Sequence, residues 1–157
     1  MKQAKSAGEI MTTRLVTIPS DLPLAQVARL LVRNRIGSAP VVETGTHSPI
    51  GELSRQACME ALLDAVYEDH PVGTVTSSML PWTERVGENA SIVEMVQKFR
   101  DCAQKFLPVF REDKFLGVVT RTDVTRAFLA LLERIPDRQI RVLYLSALHA
   151  SDEAPDL

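Results

Sequence analysis

The heptapeptide Gly117-Val118-Val119-Thr120-Arg121-Thr122-Asp123 brings a hydroxyl, a cation and a carboxylate together where an apolar run gives way to a helical pattern. Gly117, with no Cβ, lets the backbone come close to a flat base or sugar. Thr120 can bond a phosphate oxygen, and the free N–H groups of a helix starting there favour an anion, with Arg121 adding positive charge. Asp123, one helical turn further on, can accept hydrogen bonds from both hydroxyls of a ribose diol. The same residues also spell a helix cap. A Thr followed three residues later by an acid satisfies orphan N–H groups and stabilises by roughly 1 kcal/mol. Capping and ribose binding are compatible, so the spacing leaves both open.

An imperfect copy, Gly51-Glu52-Leu53-Ser54-Arg55-Gln56-Ala57, stands 66 residues earlier and has Ala57 where the later stretch has Asp123. It belongs to a longer internal repeat. Setting residue n against n+68 pairs Met11 with Met79, Leu24 with Ile92, Val27 with Met95, Ala28 with Val96, Leu31 with Phe99, and Pro40-Val41 with Pro108-Val109. After the loop Glu43 to Pro49 the offset becomes 66, as a tighter turn in the second copy requires; Gly51 then meets Gly117, Leu53 meets Val119 and Arg55 meets Arg121. Matched apolar positions and matched turn formers carry the duplication more than identities do.

Each copy must position its hydroxyl with the same elements. Behind Pro23, apolar Leu24, Val27, Ala28 and Leu31 recur at i, i+3, i+4 and i+7, which predicts an amphipathic helix. Ala39 to Val42 and Pro49 to Leu53 are apolar runs separated by Gly45, His47 and Ser48, a hairpin pattern, and a helix follows from about Arg55 to Tyr67. Copy two gives a helix near Ser91 to Ala103, strands at Phe106 to Phe110 and Phe115 to Val119 around a Glu112-Asp113 turn, and a helix from about Thr122 to Ile135 that Pro136 ends. One such unit cannot cover its own sheet, so the two are predicted to pack on each other.

This order, the Met11 and Met79 positions, the Pro-Val strands and the Gly-x-x-Ser/Thr-x-x-Asp ending resemble a tandem pair of CBS domains over roughly Ala7 to Glu133. The resemblance implies an α/β fold of the α+β type, with two units of helix, hairpin and helix packed sheet to sheet with pseudo-two-fold symmetry. Unit 1 spans 1–70 with the N-terminal segment, unit 2 spans 71–136, and 137–157 is a C-terminal extension. It also implies no required cofactor but a regulatory adenosyl ligand, AMP, ADP, ATP or S-adenosylmethionine, bound in clefts between the units. A homodimer and control of a separate, unknown effector protein in trans complete the expectation; the alternative is a ligand-free dimerisation scaffold in which Thr120 and Asp123 only cap a helix.

By the same resemblance, the second cleft is built from Thr120, Asp123, Arg121 and Gly117, with Arg85 and Val86 from the segment leading into unit 2 and the backbone at Leu107, Pro108 and Val109. The first cleft would use Thr17, Ile18, Ala39, Pro40, Ser54 and Arg55. It is expected to bind more weakly, because Ala57 offers no ribose acceptor, a loss of about 1.5 to 3 kcal/mol. Unit 2 departs from the pattern where Glu84-Arg85-Val86-Gly87 replaces Val16-Thr17-Ile18-Pro19. Arg85 there contacts phosphate, stacks on a base or blocks the cleft.

The remaining sequence narrows the function class. A net charge of −2 from 18 basic and 20 acidic residues, interspersed without a basic block, disfavours nucleic acid as a partner. No run approaches the roughly 18 apolar residues of a membrane span, and no signal-peptide pattern opens the chain, so a cytoplasmic protein with no membrane partner is expected. His47, His70 and His149 lack a second ligand at metal spacing, so no metal site is expected, and Cys58 and Cys102 read as reduced thiols. No nucleophile elbow, phosphate-loop lysine or paired catalytic carboxylates appear, so no catalytic residue and no enzyme activity are expected. Trp82 reads as a packing residue. Ile140, Leu143, Tyr144, Ala147 and Leu148 recur at helical spacing and predict an amphipathic helix packed on its own module.

Overall fold

The computed structural model describes residues 5–135, so the expected helix around Ile140 to Leu148, and the extension 137–157 with it, lie outside the described residues. In chain order the elements are α1 (Ala7–Ile10), β1 (Ile18–Pro19), α2 (Leu24–Arg33), β2 (Ser38–Val42), β3 (Pro49–Ser54), α3 (Arg55–Tyr67), α4 (Val75–Ser78), β4 (Leu80–Pro81), β5 (Val86–Gly87), α5 (Ile92–Asp101), β6 (Phe106–Arg111), β7 (Lys114–Thr120) and α6 (Arg121–Leu132).

The apolar period decides the helices. Leu24, Val27 and Leu31 of α2 are buried, and so are their repeat partners Ile92, Met95 and Phe99 of α5. Pro23 is the residue just before α2, with ψ 136°. Each hairpin then offers alternate residues to its helices. Ala39, Val41 and Leu53 join the first core, while Leu107, Val109 and Val119 join the second. Strand alternation sends the buried Pro40, Glu52, Pro108 and Val118 to the opposite faces, where the two sheets meet.

The first sheet has the order β1-β2-β3-β4 and the second β5-β6-β7. The leading strand of each is parallel to its neighbour and the hairpin is antiparallel. Both hairpins carry an irregularity at matched places, Val41/Val42 and Val109/Phe110. Thr12 fills the fourth place of the second sheet: its N–H donates to Val118 O at 2.8 Å and Val118 N–H donates back at 3.0 Å.

The lead-in segments cross over. The sequence assigns the N-terminal segment to unit 1, yet Ala7 N–H donates to Ala90 O (2.9 Å) and Gly8 N–H to Glu88 O (2.7 Å), both in unit 2. Conversely, β4 pairs with β3 of unit 1, and Trp82 N–H donates to Ile50 O at 3.2 Å. Two glycines make this crossing possible. A Cβ on Gly117 would stand 2.5 Å from Thr12 O, and one on Gly51 would stand 2.5 Å from Leu80 O. The close approach expected between Gly117 and a ligand is therefore made by the chain's own backbone at Thr12.

Two helices differ from expectation at their ends. α5 stops at Asp101 because Cys102 is extended (φ −128°, ψ 154°) and Gln104 turns inward to serve the next strand. α6 starts one residue earlier, at Arg121, and ends at Leu132, with Arg134 and Ile135 closing tighter turns onto Leu131 O and Leu132 O.

Candidate functional site

Thr120 ends β7 in an extended conformation and caps α6. Its Oγ1 accepts from Asp123 N–H at 3.2 Å, and Asp123 Oδ2 in turn accepts from Thr120 N–H and from the Thr120 hydroxyl, each at 2.8 Å. This is the reciprocal cap anticipated from the spacing. Asp123 is 9% exposed, and only Oδ2 is spent on the cap; Oδ1 has Arg126 Nη1 at 3.5 Å. A cavity of about 350 Å³ lies beside Asp123, bounded by Lys5, Glu9, Ile10, Arg126, Ala127 and Ala130 from the N-terminal segment and α6.

In the register of the second sheet Phe106 lies opposite Thr120, and the expected cleft residues Arg121 and Arg85 are both engaged within the chain. Arg121, expected to meet a phosphate, instead donates to Gln104 O (2.8 Å) and Phe99 O (3.0 Å), with its guanidinium carbon 4.6 Å from the Phe99 ring centroid. The cation thus serves one carbonyl of the last turn of α5, Phe99 O, where the helix dipole also favours it, and one in the turn beyond the helix, Gln104 O. Arg85 lies 5.1 Å over the chain's own Phe110 ring, so the stacking considered for a base is made with a protein aromatic. Val86, Leu107 and Val109 are buried in the second core, so their side chains are withdrawn from the surface. Pro108 is buried on the sheet-facing side.

In the first unit Ser54 caps α3 by accepting from Ala57 N–H at 3.1 Å, with no acid to answer it. Arg55 is exposed, its N–H bonded to Gly37 O at 2.9 Å. Ile18 and Ala39 are core residues, Pro40 is buried and Thr17 is half-buried just ahead of Ile18. The structure thus brings Thr17, Ser54 and Arg55 to the surface of this unit and withdraws the side chains of Ile18 and Ala39.

Three residues that the sequence did not single out organise the second cleft. Gln104, 2% exposed, accepts from Thr83 N–H (2.8 Å) and Glu84 N–H (2.7 Å) and donates to Glu84 O (3.0 Å) and Phe106 O (3.1 Å), so it pins the lead-in segment to β6. Lys98 pairs with Glu84 at 2.6 Å. Glu52, 3% exposed on β3, accepts from Trp82 Nε1 (2.9 Å), Lys105 N–H (3.0 Å) and Phe106 N–H (3.2 Å), so it ties unit 1 to the start of β6. The sequence signal was a mismatch: at offset 66 the apolar partner of Glu52 is Val118. Elsewhere, burial pushes the Cys58 thiol up, partly opposed by a backbone hydrogen bond. The Arg111 guanidinium hydrogen-bonded to Glu88 holds that exposed carboxyl below the usual carboxylate range. Among the described residues no group of three or more His, Cys, Asp or Glu is placed to hold a metal, and no helix is long and apolar enough to cross a membrane.

Comparison with known proteins agrees with this architecture. The CBS domain family matches residues 7–64 and 84–130. With two helix-hairpin-helix units and a hydroxyl-capped helix closing each, the chain belongs to the CBS-domain family, as a tandem pair. Its structure is similar to CBSX2, a CBS-pair protein from Arabidopsis thaliana (TM-score 0.68, 20% identical, covering 85% of this chain and 100% of that one). CBSX2 solved in complex with AMP matches with TM-score 0.67 and 21% identity, covering 81% of this chain and 98% of that one. The CBS domain pair of protein MJ0100, in complex with 5′-methylthioadenosine and S-adenosyl-L-methionine, matches with TM-score 0.66 and 18% identity, covering 82% and 98%. Among curated sequences, an A-adding tRNA nucleotidyltransferase of Geobacter sulfurreducens is 23% identical over 124 residues, which is 78% of this chain and only 13% of that protein.

Proposed function

We propose that this chain is a regulatory, non-catalytic module that binds an adenosyl ligand in the second cleft and passes its occupancy to a partner protein by contact. The observation that carries the reading is the state of Asp123. Its Oδ2 completes the cap with Thr120, and Oδ1 remains as an acceptor for a ribose hydroxyl. Ala57 gives the first unit no such group, so one strong site per chain is expected. The ligands of similar CBS pairs, AMP, 5′-methylthioadenosine and S-adenosyl-L-methionine, all carry an adenosyl group and support the same class.

Exposed apolar side chains support dimerisation. Met59, Leu63 and Val66 on α3 and Phe128, Leu129 and Leu132 on α6 are 39% to 72% exposed, a surface suited to a second copy. The completed cap also favours a second reading, a ligand-free dimeric scaffold, because Thr120 and Asp123 already satisfy each other. A thermal-shift panel of AMP, ADP, ATP and S-adenosylmethionine on wild type and Asp123→Ala separates the two. A ligand at 100 times its dissociation constant stabilises by about 2.7 kcal/mol, or about 5 to 11 °C at this size. A shift of that order in wild type alone supports the sensor; no shift with any compound in a folded dimer supports the scaffold.

A further inference from the structure

The two units match by repeat, yet their helices present different surfaces. In unit 2 an apolar groove of about 340 Å³ lies between α5 and α6, over Val96, Phe99, Val124 and Phe128, and the exposed Arg100 and Thr125 belong to its lining. In unit 1, α3 carries a ridge: Met59, Leu63 and Val66 recur at i, i+4 and i+7 and are 64%, 55% and 72% exposed. The repeat locates the difference. Met59 is the partner of Thr125, and Val32, also exposed on α2, is the partner of Arg100, so unit 1 has apolar side chains where unit 2 has a short hydroxyl and a cation.

Charge differs in the same way. Glu60 and Asp64, one turn apart, flank the ridge; Glu60 accepts from Gln56 Nε2 at 3.0 Å, and among the described residues neither carboxylate nor Arg100 is in an ion pair. By repeat Glu60 matches Arg126, and Arg33 of α2 matches Asp101 of α5, so two exposed positions carry opposite signs in the two units. Near a two-fold axis, unit 1 facing unit 1 brings each of these charges to its own copy, Glu60 to Glu60 and Arg33 to Arg33. Unit 1 facing unit 2 brings each to its opposite, and also sets the ridge carboxylates towards Arg100.

We infer that two copies of this chain associate head to tail: the α3 ridge of each enters the α5–α6 groove of the other, in a closed two-fold dimer where unit 1 meets unit 2. The inference rests on the homodimer reading and adds its orientation. Ridge and groove lie on different units of one chain, so the contact is made twice and each copy gives and receives the same side chains. Met59 and Leu63 fill the space that the short Thr125 leaves over Phe99 and Phe128. The helix that carries Asp123 is then held between its own sheet and unit 1 of the second copy.

The test joins light scattering on the full chain to crosslinking with a short bismaleimide. Wild type is expected to be a dimer. Met59→Cys and Thr125→Cys chains, each in a Cys102→Ser background that removes the half-buried thiol, are expected to crosslink when mixed and not when either is treated alone. A dimer whose Met59→Cys chains crosslink with each other, or whose mixed chains do not crosslink, overturns the orientation and leaves the homodimer reading standing. A monomeric wild type overturns both and assigns the groove to residues 136–157 or to a different protein. Charge exchange gives a check that needs no cysteine. Glu60→Lys with Asp64→Lys is expected to raise the dimer dissociation constant about tenfold or more, and Arg100→Glu added to the same chain to recover most of that loss. No recovery overturns the inference, because a ridge that faced its own copy would gain nothing from a change at Arg100.

Discussion

Gly117 and Gly51 show how a single absent Cβ determines where a chain can run. Each would place a methyl group 2.5 Å from a backbone carbonyl oxygen of the segment crossing from the other unit. Backbone cannot yield as a side-chain tip can, so Gly117→Ala and Gly51→Ala are each expected to cost about 1 to 3 kcal/mol in chemical denaturation. The repeat paired the two glycines, and the sequence reading gave Gly117 a close approach to a ligand. What they approach was not legible, because Thr12 and Leu80 come from distant parts of the sequence. Cys58 offers a second residue-level check. Burial raises its thiol pKa, so its linkage contribution is present below the unfolded value and lost as pH rises towards the folded one. Wild type should therefore lose stability more steeply above about pH 9 than Cys58→Val, and Cys58 should react more slowly with a thiol reagent than half-buried Cys102. Equal alkaline slopes would remove burial as the cause.

At the scale of elements, α6 joins its partner helix through Arg121. The guanidinium donates to Phe99 O in the last turn of α5 and to Gln104 O beyond it, and covers the Phe99 ring. Arg121→Met should lower stability by about 1 to 3 kcal/mol while changing adenosyl affinity by less than about twofold, as denaturation and titration would show. A large loss of affinity with intact stability would return Arg121 to a phosphate-binding role. The sequence showed α2, α3, α5, α6 and both hairpins, because burial follows the helical and strand periods that the apolar residues mark. It did not show β1, β4 and β5, which are two residues each and too short to carry a period. Nor could it show the target of Arg121, since carbonyls at a helix end carry no residue-specific signal.

At the scale of the molecule, the two units are interlocked by exchange of their lead-in segments. α1 and Thr12 serve the second sheet, and β4 serves the first. Removing residues 1–12 should accordingly raise amide hydrogen exchange in β7 and α6 and leave β2 and β3 protected, although those strands are nearer in sequence. Loss of protection confined to β2 and β3 would contradict the crossing. Duplication and unit order were legible from matched positions, but the exchange was not. Both packings satisfy the same apolar pattern, and Glu52 was a mismatch whose partners lie 30 to 54 residues away.

The central claim, one adenosyl site per chain organised by Asp123, is tested most directly by titrating S-adenosylmethionine into wild type, Ser54→Ala and Asp123→Asn. Asparagine preserves an acceptor for the cap but not the charged acceptor pair for a ribose diol. The account predicts saturation at one ligand per chain, no change in Ser54→Ala, and affinity reduced roughly ten- to a hundredfold in Asp123→Asn. Two equal sites, or binding indifferent to Asp123, would contradict it.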